Sequence, residues 1–579
     1  MMVWIWEVMV LDEGIMVRKH IAGILGLALF MVVSSAIVVL HPNEVCAKPE
    51  QRPYIISIVV NHPETDVKIE IIPKPDFQES EMQRYKDYPA YSLHPNFVSV
   101  DRSFYGWVDV CHDEFNYPIS YDIDINADGS YEHKKIKGDY TLHFDRPGTY
   151  KIAFRGEIPR LAISSEPYVK RYNQIPHLIN KSEYAQQLHP KDLDYYLDEV
   201  IQWGDIEWKS MHSMFNEQPF LRIVAKDKPD LSRVSNMSYM FQNAYHFNDS
   251  IEHWDVSHVK CMRTMFNRAK DFNQPLNKWD MSAAVDISFM FAMTDKFNQP
   301  LDKWNTARVK FLNGTFLGAT KFNQSLEKWN TSNVVQMNCT FQYAESFNQP
   351  LEKWDLSHVT ATSYMFREAT KFNQPVGKWD VSKIEYMESM FKQAESFNQP
   401  LNDWKTSSLK DIRYMFSGAK AFNQPLDKWY TSNIVEMAGV FEGAEVFNQP
   451  LNSWDTSQVR RTAVMFKDTK VFNQPLDKWD MSNVVFIQGM FENAQSFNRP
   501  IDMWDTSNVK YMGKMFKGTG SFNKSIDSWN ISNVKEMDEM FMDAKAFNKD
   551  LSKWDVTNIK HKKMFENAQN MKSAKPVGY

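Results

Sequence analysis

The chain has 579 residues, of which 43% are hydrophobic and 24% are charged, and this length is sufficient to bury a large core. Its net charge of -6, from 66 Lys and Arg residues against 72 Asp and Glu residues, argues against nucleic-acid binding because it supplies no broad positive field. The 4 cysteines form no recurring spacing and no CxxC motif, so we expect neither a zinc site nor a disulfide framework.

Residues 1–47 have the pattern of a signal peptide or a membrane anchor. Arg18, Lys19 and His20 precede an apolar run over residues 21–40, and a small-residue cleavage pattern ends at Ala47. We expect cleavage after Ala47 and export, either to the cell surface or into the medium. A retained transmembrane segment is the alternative, since the apolar run is long enough to span a bilayer, and it would be the chain's contact with the membrane. Met16 is an alternative start to Met1.

Residues 48–163 predict a small β-domain, because short alternating apolar runs are separated by turn residues. Asp124, Asn126, Asp128 and Gly129 imitate the start of a calcium-binding loop, but the twelfth position is Lys135 and the bidentate Glu is missing. A plain hairpin turn is therefore favoured over a calcium site. Residues 164–200 predict a largely helical linker.

The rest of the chain is governed by an internal repeat. A Met-Phe pair recurs every 25 residues from Met240 to Met540, with Met replaced at three places, which gives thirteen copies over residues 240–564. A degenerate capping repeat precedes them over residues 201–239, and a truncated repeat with a short tail follows over residues 565–579. Units of this length cannot bury an apolar stripe alone, so we expect them to stack as a solenoid.

Each repeat predicts a short amphipathic helix followed by an extended segment. Val259, Met262, Met265, Phe266 and Ala269 have the spacing of one helix face, and the recurring pattern W-[DN]-x-[ST] supplies capping side chains before it. The proline of Asn-Gln-Pro-Leu ends the helix and begins the extended part. The predicted fold is an α/β solenoid of leucine-rich-like repeats after a small β-sandwich-like domain.

Three columns of identical residues would run along the solenoid. Their first members are Trp254, Trp279 and Trp304, then Phe247 and Phe272, then Asn248, Asn273 and Asn298. We interpret the aromatic columns as a core spine, with carbohydrate stacking on exposed Trp rings as the alternative. The Asn column is interpreted as a buried ladder that bonds to the backbone of adjacent coils rather than as a ligand site.

The repeat Met-Phe-x-x-Ala-x-x-Phe-Asn-Gln-Pro-Leu-x-x-Trp-Asp-x-Ser-x-Val resembles that of the BspA-like leucine-rich-repeat surface proteins of bacteria. The resemblance extends over roughly residues 115–570, including the turn and strand around Pro147 and Gly148. It implies an exported, non-enzymatic solenoid, in a family associated with adhesion to host proteins or to other cells.

Catalytic motifs of the types GxSxG, HExxH and the P-loop do not occur in the sequence, so we predict no enzyme activity, no cofactor and no catalytic or metal site. The leading hypothesis is an adhesin-like module whose variable positions contact a protein partner, for which a host extracellular-matrix protein is one candidate. Lys260, Arg263, Asp286 and Phe289 are the candidate partner-binding residues. A carbohydrate-binding solenoid and a structural spacer on the cell surface are the alternatives.

Overall fold

The computed structural model describes residues 5–11, 14–20, 51–71, 119–163 and 190–579. The chain divides into two compact units, Met1–Arg52 and Pro53–Tyr579. In the first unit, strands β1 (Ile5–Leu11) and β2 (Gly14–His20) pair antiparallel. The apolar run and the cleavage site predicted from the sequence lie outside the described residues. Within the described ranges, no helix is both long enough and apolar enough to cross a membrane.

The second unit begins with a β-domain built from two sheets. The strands are β3 (Tyr54–Val60), β4 (Thr65–Glu70), β5 (Ser120–Ile125), β6 (His133–Ile136), β7 (Tyr140–Phe144), β8 (Gly148–Glu157) and β9 (Ala162–Ile163). Strands β7, β4 and β9 form the smaller sheet, and β3, β8, β5 and β6 belong to the larger one. Alternate side chains such as Ile56, Val67 and Leu142 are buried in one hydrophobic core shared by both sheets.

The predicted helical linker is wrong in its described part. A short 3₁₀ turn, η1, covers Pro190–Asp192, and residues Tyr195–Gln202 form strand β10, whereas residues 164–189 lie outside the described ranges. Strand β10 pairs with β3 and with β11 (Arg222–Ile223), which completes a six-stranded sheet. Its alternating pattern of burial shows why the mixed apolar and polar residues suit a strand.

The β-domain and the repeats share one continuous core. The ring of Trp203 stacks on Tyr54 of strand β3 at 5.6 Å between centroids, and it meets the first Trp of the repeat column, Trp254, at 5.4 Å. The β-domain therefore covers the first coil of the solenoid and shields its apolar end from water.

The repeats stack as predicted, but the predicted helix plus extended segment is wrong, because no α-helix occurs in the described residues. Each coil instead makes a single parallel β-bridge to the next, as between Cys261 and Asp286. The backbone N–H groups of Met262 and Phe266 donate to carbonyls of the following coil at 2.9 Å, whereas the N–H of Met265 donates within its own coil to Met262. Alternate amides thus bond between coils, which a helix does not allow.

Left-handed residues explain why a helical spacing of apolar side chains does not give a helix. The residue before each Met-Phe pair and the third residue after its Met have positive φ, as at Thr264 (60°) and Arg268 (62°). Left-handed residues at these two positions, four apart in sequence, produce successive tight turns. The turns keep the side chains of Met262, Met265 and Phe266 on the buried side. The expected cap is also a local turn, since Ser257 N–H donates to Asp255 Oδ1 at 3.1 Å with no helix after it.

The last residues close the other end of the solenoid. Val577 forms a parallel bridge with Asp555, and its N–H donates to the carbonyl of Trp554 at 2.8 Å. The ring of Tyr579 meets Phe565 edge-on at 5.0 Å. These last residues therefore fold over the coil of Met564 and pair some of its backbone groups.

Candidate interaction face

One face of the solenoid carries the side chains that differ from coil to coil. We call this the bridge face. It consists of five positions in each coil, counted from the Met of the Met-Phe pair: the fourth, second and first residues before that Met, and the second and third residues after that Met. In the coil of Met390 these are Tyr386, Glu388, Ser389, Lys392 and Gln393. Contacts such as the ion pair from Arg413 to Asp411 and Glu388 show that these positions share one side of the stack.

The bridge face lies on the side where the coils are closest together. Equivalent rings at the bridge position, Phe486 and Tyr511, stack at 5.2 Å, whereas the core pair Phe466 and Phe491 stack at 5.6 Å. Rings in the Trp column are further apart, with 6.5 Å between Trp454 and Trp479. Among these pairs the ring spacing is shortest on the side where the β-bridges join successive coils.

The predicted partner-binding residues lie on or beside this face. Arg263 forms an ion pair with the buried Asp286 at 3.9 Å, and its guanidinium lies 5.6 Å from the centroid of the Phe289 ring. The Phe289 ring lies against Gly314 of the next coil, and Lys260 is exposed at the edge. Arg263, Asp286 and Phe289 therefore form one packed cluster, whereas Lys260 stands apart from it.

The predicted aromatic columns lie in the interior. Trp254, Trp279 and Trp304 are at most 3% exposed, and Phe247 and Phe272 are fully buried. From Trp279 to Trp529 the indole N–H donates to a carbonyl of the preceding coil, as from Trp279 Nε1 to Ile251 O at 3.1 Å. The Trp faces are therefore not available to stack on sugar rings.

The predicted Asn column bonds to the backbone but is not buried. Asn248 is exposed, and Asn273 and Asn298 are half-buried. The N–H of Asn273 donates to Asn248 Oδ1 at 2.9 Å, and the same bond recurs from Asn298 to Asn273. The side-chain amide of each following Gln also donates to this oxygen, as Gln299 does to Asn273. The column ties successive coils together at the surface.

A buried charge cluster occupies the middle of the bridge face. Arg413 holds Asp411 at 2.6 Å and Glu388 at 3.3 Å. Burial raises the pKa of Glu388, and Arg413 opposes this by favouring the carboxylate. Burial and the neighbouring Glu388 hold the pKa of Tyr364 well above its usual range, and its hydroxyl hydrogen-bonds to that carboxylate. The cluster arises because side chains from three successive coils converge, a proximity that no single repeat reveals.

Aromatic rings and cations alternate beside this cluster. The Arg367 guanidinium lies 5.7 Å from the Tyr343 ring centroid and 5.9 Å from that of Tyr364. Lys392 Nζ lies 4.7 Å from the centroid of the Tyr414 ring. Aromatic and Arg side chains of this kind carry most of the binding energy in protein interfaces. A sequence signal was present, since aromatic residues recur at bridge-face positions in successive repeats between Phe289 and Tyr414.

The calcium-like loop forms a hairpin turn held by its own hydrogen bonds. The buried carboxylate of Asp124 accepts the N–H groups of Asp128 at 3.2 Å and Gly129 at 2.6 Å. Oxygens of Asp124, Asp128 and Glu132 lie within 4.8 Å of one another, but Glu132 also accepts hydrogen bonds from Ser130 and from the Ile125 N–H. The turn thus accounts for the polar residues that the sequence places here.

Two cysteines fall within the described residues. Cys339 is a buried free thiol, and Cys261 is disulfide-bonded, a single bond beside the expectation that the chain has no disulfide framework. The irregular cysteine spacing gave no signal for this bond, because disulfide pairing depends on proximity in the fold rather than on sequence spacing.

Comparison with known proteins identifies the repeats. The family described as "Mycoplasma protein of unknown function, DUF285" matches residues 209–326, 301–404, 393–499 and 471–576. The chain belongs to this family. Four overlapping matches along the repeats agree with the tandem stacking of the coils, and they replace the specific likeness to leucine-rich BspA-like proteins with membership of DUF285. No curated protein and no solved structure matches the chain.

Proposed function

We propose that this DUF285 protein is an exported interaction module that binds a protein partner along the bridge face, with an adhesin-like role at the cell surface. One observation carries the proposal. The side chains that build the core are nearly identical in every coil, whereas those of the bridge face differ at nearly every step. Identical core positions maintain the stack, and variable positions gathered on one face, among them the exposed Tyr386, Asp468 and Lys514, suit one specific surface.

The chemistry of the face supports a protein as the partner. The bridge-face side chain of Tyr386 is 42% exposed, and Phe486 and Tyr511 stack beside each other further along. Tyr and Arg at the centre of a surface are typical of protein interfaces. A sugar polymer would instead match a regular array of exposed Trp rings, and the described Trp side chains of the repeats are buried.

Export is part of the proposal and rests on the sequence. Basic residues before an apolar run, followed by a polar stretch and a small-residue pattern at Ala47, are typical of a secretory signal. A surface location would bring the bridge face into contact with host or neighbouring cells. The proposed role is non-enzymatic. Repeats place equivalent residues at many sites, which suits recognition better than catalysis, because an active site needs one specific set of different residues.

Binding of the full chain to immobilised extracellular-matrix proteins and glycans tests the proposal. The double variant Tyr386→Ser with Phe486→Ser removes two bridge-face rings, and the matched control, Tyr430→Ser with Met503→Ser, removes two side chains that are 53% and 78% exposed outside that face. We expect saturable binding to a protein that the first variant weakens roughly 10-fold or more and the control leaves unchanged. Binding to glycans alone, or equal effects of both variants, would contradict the proposal.

A further inference from the structure

The cations of the central bridge face are paired with carboxylates. Between the coils of Met365 and Met465 the face carries five cations and six carboxylates, a net charge of -1. Four of the cations have a carboxylate oxygen within 4.0 Å: Arg367 has Glu368 at 3.3 Å, Arg413 has Asp411 at 2.6 Å, Arg461 has Glu436 at 3.9 Å, and Lys467 has Glu442 at 3.7 Å. Each of these four charges is thus neutralised within the fold.

Lys392 is the exception. Among the described residues no carboxylate oxygen lies within 4.0 Å of its Nζ, although the side chain is half-buried between Arg367 and the Tyr414 ring. Burial, together with the positive charge of Arg367, holds the pKa of Lys392 below its ordinary value. A half-buried ammonium group with no carboxylate oxygen in direct contact loses hydration that an arriving anion can replace, and Glu442, Glu368 and Glu388 act on Lys392 only from beyond 4.0 Å.

We propose that Lys392 binds a carboxylate side chain of a polypeptide that lies along the bridge face. The inference rests on the proposed function, because it names the chemistry by which that face recognises its partner. A carboxylate placed on Lys392 would complete the pairing seen for the other four cations, in a charge-assisted hydrogen bond.

The surroundings favour a polypeptide with an isolated carboxylate over a polyanion. Glu388 and Glu442 act on Lys392 from nearby, so a second negative charge on the ligand would be repelled. The rings of Tyr364, Tyr386 and Tyr414 flank the same stretch and offer contact area to apolar side chains. A sulfated glycan carries many charges and few apolar groups, so it fits this mixed surface poorly.

Selection from a random peptide library displayed on phage tests the proposal, with the immobilised full chain as bait. We expect enriched peptides to contain one Asp or Glu beside apolar residues, and we expect no such enrichment on Lys392→Met. The matched control is Lys428→Met, because Lys428 is an exposed lysine outside the bridge face that already pairs with Asp403 at 2.9 Å. Near-ultraviolet circular dichroism would verify that both variants fold.

An enriched peptide then serves as a probe in a double-substitution cycle. Replacing its carboxylate by the amide should weaken binding to the natural chain roughly 10- to 100-fold, the range for a hydrogen bond to a charged group, and should have little effect on Lys392→Met. Lys392→Arg should retain the preference for the carboxylate. Enrichment without acidic residues, or an equal loss on both chains, would overturn the proposal.

Heparin is the probe for the polyanion. Heparin binding that is lost in Lys392→Met, with no peptide enriched, would assign the site to a polyanion and overturn the inference. If the variant lacking Tyr386 and Phe486 loses partner binding while Lys392→Met does not, the bridge face stands and the role of Lys392 falls. If neither variant affects partner binding, the proposed function itself fails.

Discussion

Replacement of Gly443 by Ala distinguishes the tight turns of the structure from the helix that the apolar spacing predicts. Gly443 is the third residue after Val440 and has a φ of 66°. A Cβ built there meets nothing nearer than Gly418 Cα at 3.6 Å, so the substitution changes the backbone cost and little else. In a helix interior Ala is more stable than Gly by about 1 kcal/mol, whereas a left-handed position penalises Ala by about 1–2 kcal/mol.

The left-handed turn and the helix therefore predict opposite signs for the change in stability caused by Gly443→Ala. Ala also lowers the conformational entropy of the unfolded chain, which by itself stabilises the folded state by about 0.4–1 kcal/mol. Since the left-handed backbone costs more than this, we expect a net destabilisation on the order of 1 kcal/mol. Gly443→Asn should cost less, because Asn tolerates this conformation and occupies the equivalent position at Asn243 and Asn493. Gly439→Ala should cost more than either, since its Cβ would lie 2.3 Å from the Tyr414 ring.

Hydrogen exchange measures the effect where it arises. The N–H of Phe441 donates to the Met465 carbonyl of the next coil at 3.0 Å, so its exchange reports opening between these two coils. We expect the opening free energy at Phe441 to fall in Gly443→Ala and to fall least in Gly443→Asn. A higher opening free energy in Gly443→Ala would refute the left-handed turn and restore the helix.

Two further predictions concern the core and the β-domain. Phe416→Ala should destabilise the stack by about 3–5 kcal/mol in urea titration, because the ring is fully buried between Phe391 and Phe441 at 5.8 and 5.9 Å. A loss below about 1 kcal/mol would contradict continuous aromatic packing. The hydrogen bond to Asp66 raises the pKa of His143, with Glu64 adding to the effect, so titration by nuclear magnetic resonance should place this pKa above 6.5 and Asp66→Asn should lower it. The associated stability is present below pH 6.5 and disappears as pH rises through the folded pKa; an unshifted His143 would refute this.

The period and the buried residues could be read from the sequence. The 25-residue spacing fixes the stacking, and the residues chosen as the apolar stripe, such as Met262 and Phe266, are fully buried. The type of backbone was misread because spacings of three and four residues fit successive tight turns as well as helical turns. Glycine at many positions before or after the Met-Phe pair, including Gly439 and Gly443, was the signal against a helix.

The strand at the end of the linker and the central charge cluster could not be predicted from the local sequence, because both depend on residues distant along the chain. Strand β10 has a partner 135 to 147 residues away in sequence, from Tyr195 with Val60 at one end to Gln202 with Ile55 at the other, and local propensity carries no information about such pairing. The cluster of Glu388, Asp411 and Arg413 also requires neighbouring coils to be in register. Sequence inspection identified an earlier group of variable positions, Arg263, Asp286 and Phe289, on the same face.

The sequence by itself determined that 25-residue units with the same core residues repeat, that they stack, and that Trp and Phe recur at fixed places, because a periodic pattern of apolar residues requires periodic burial. Only the tertiary structure decided where the amides bond, which side carries the β-bridges, and which charges meet. The geometry of the stack determines whether a backbone N–H, such as that of Met262, donates to a carbonyl of its own coil or of the next one. The same geometry leaves Lys392 Nζ with no carboxylate oxygen of the described residues within 4.0 Å while its neighbours are paired, since that outcome depends on side chains of several coils at once.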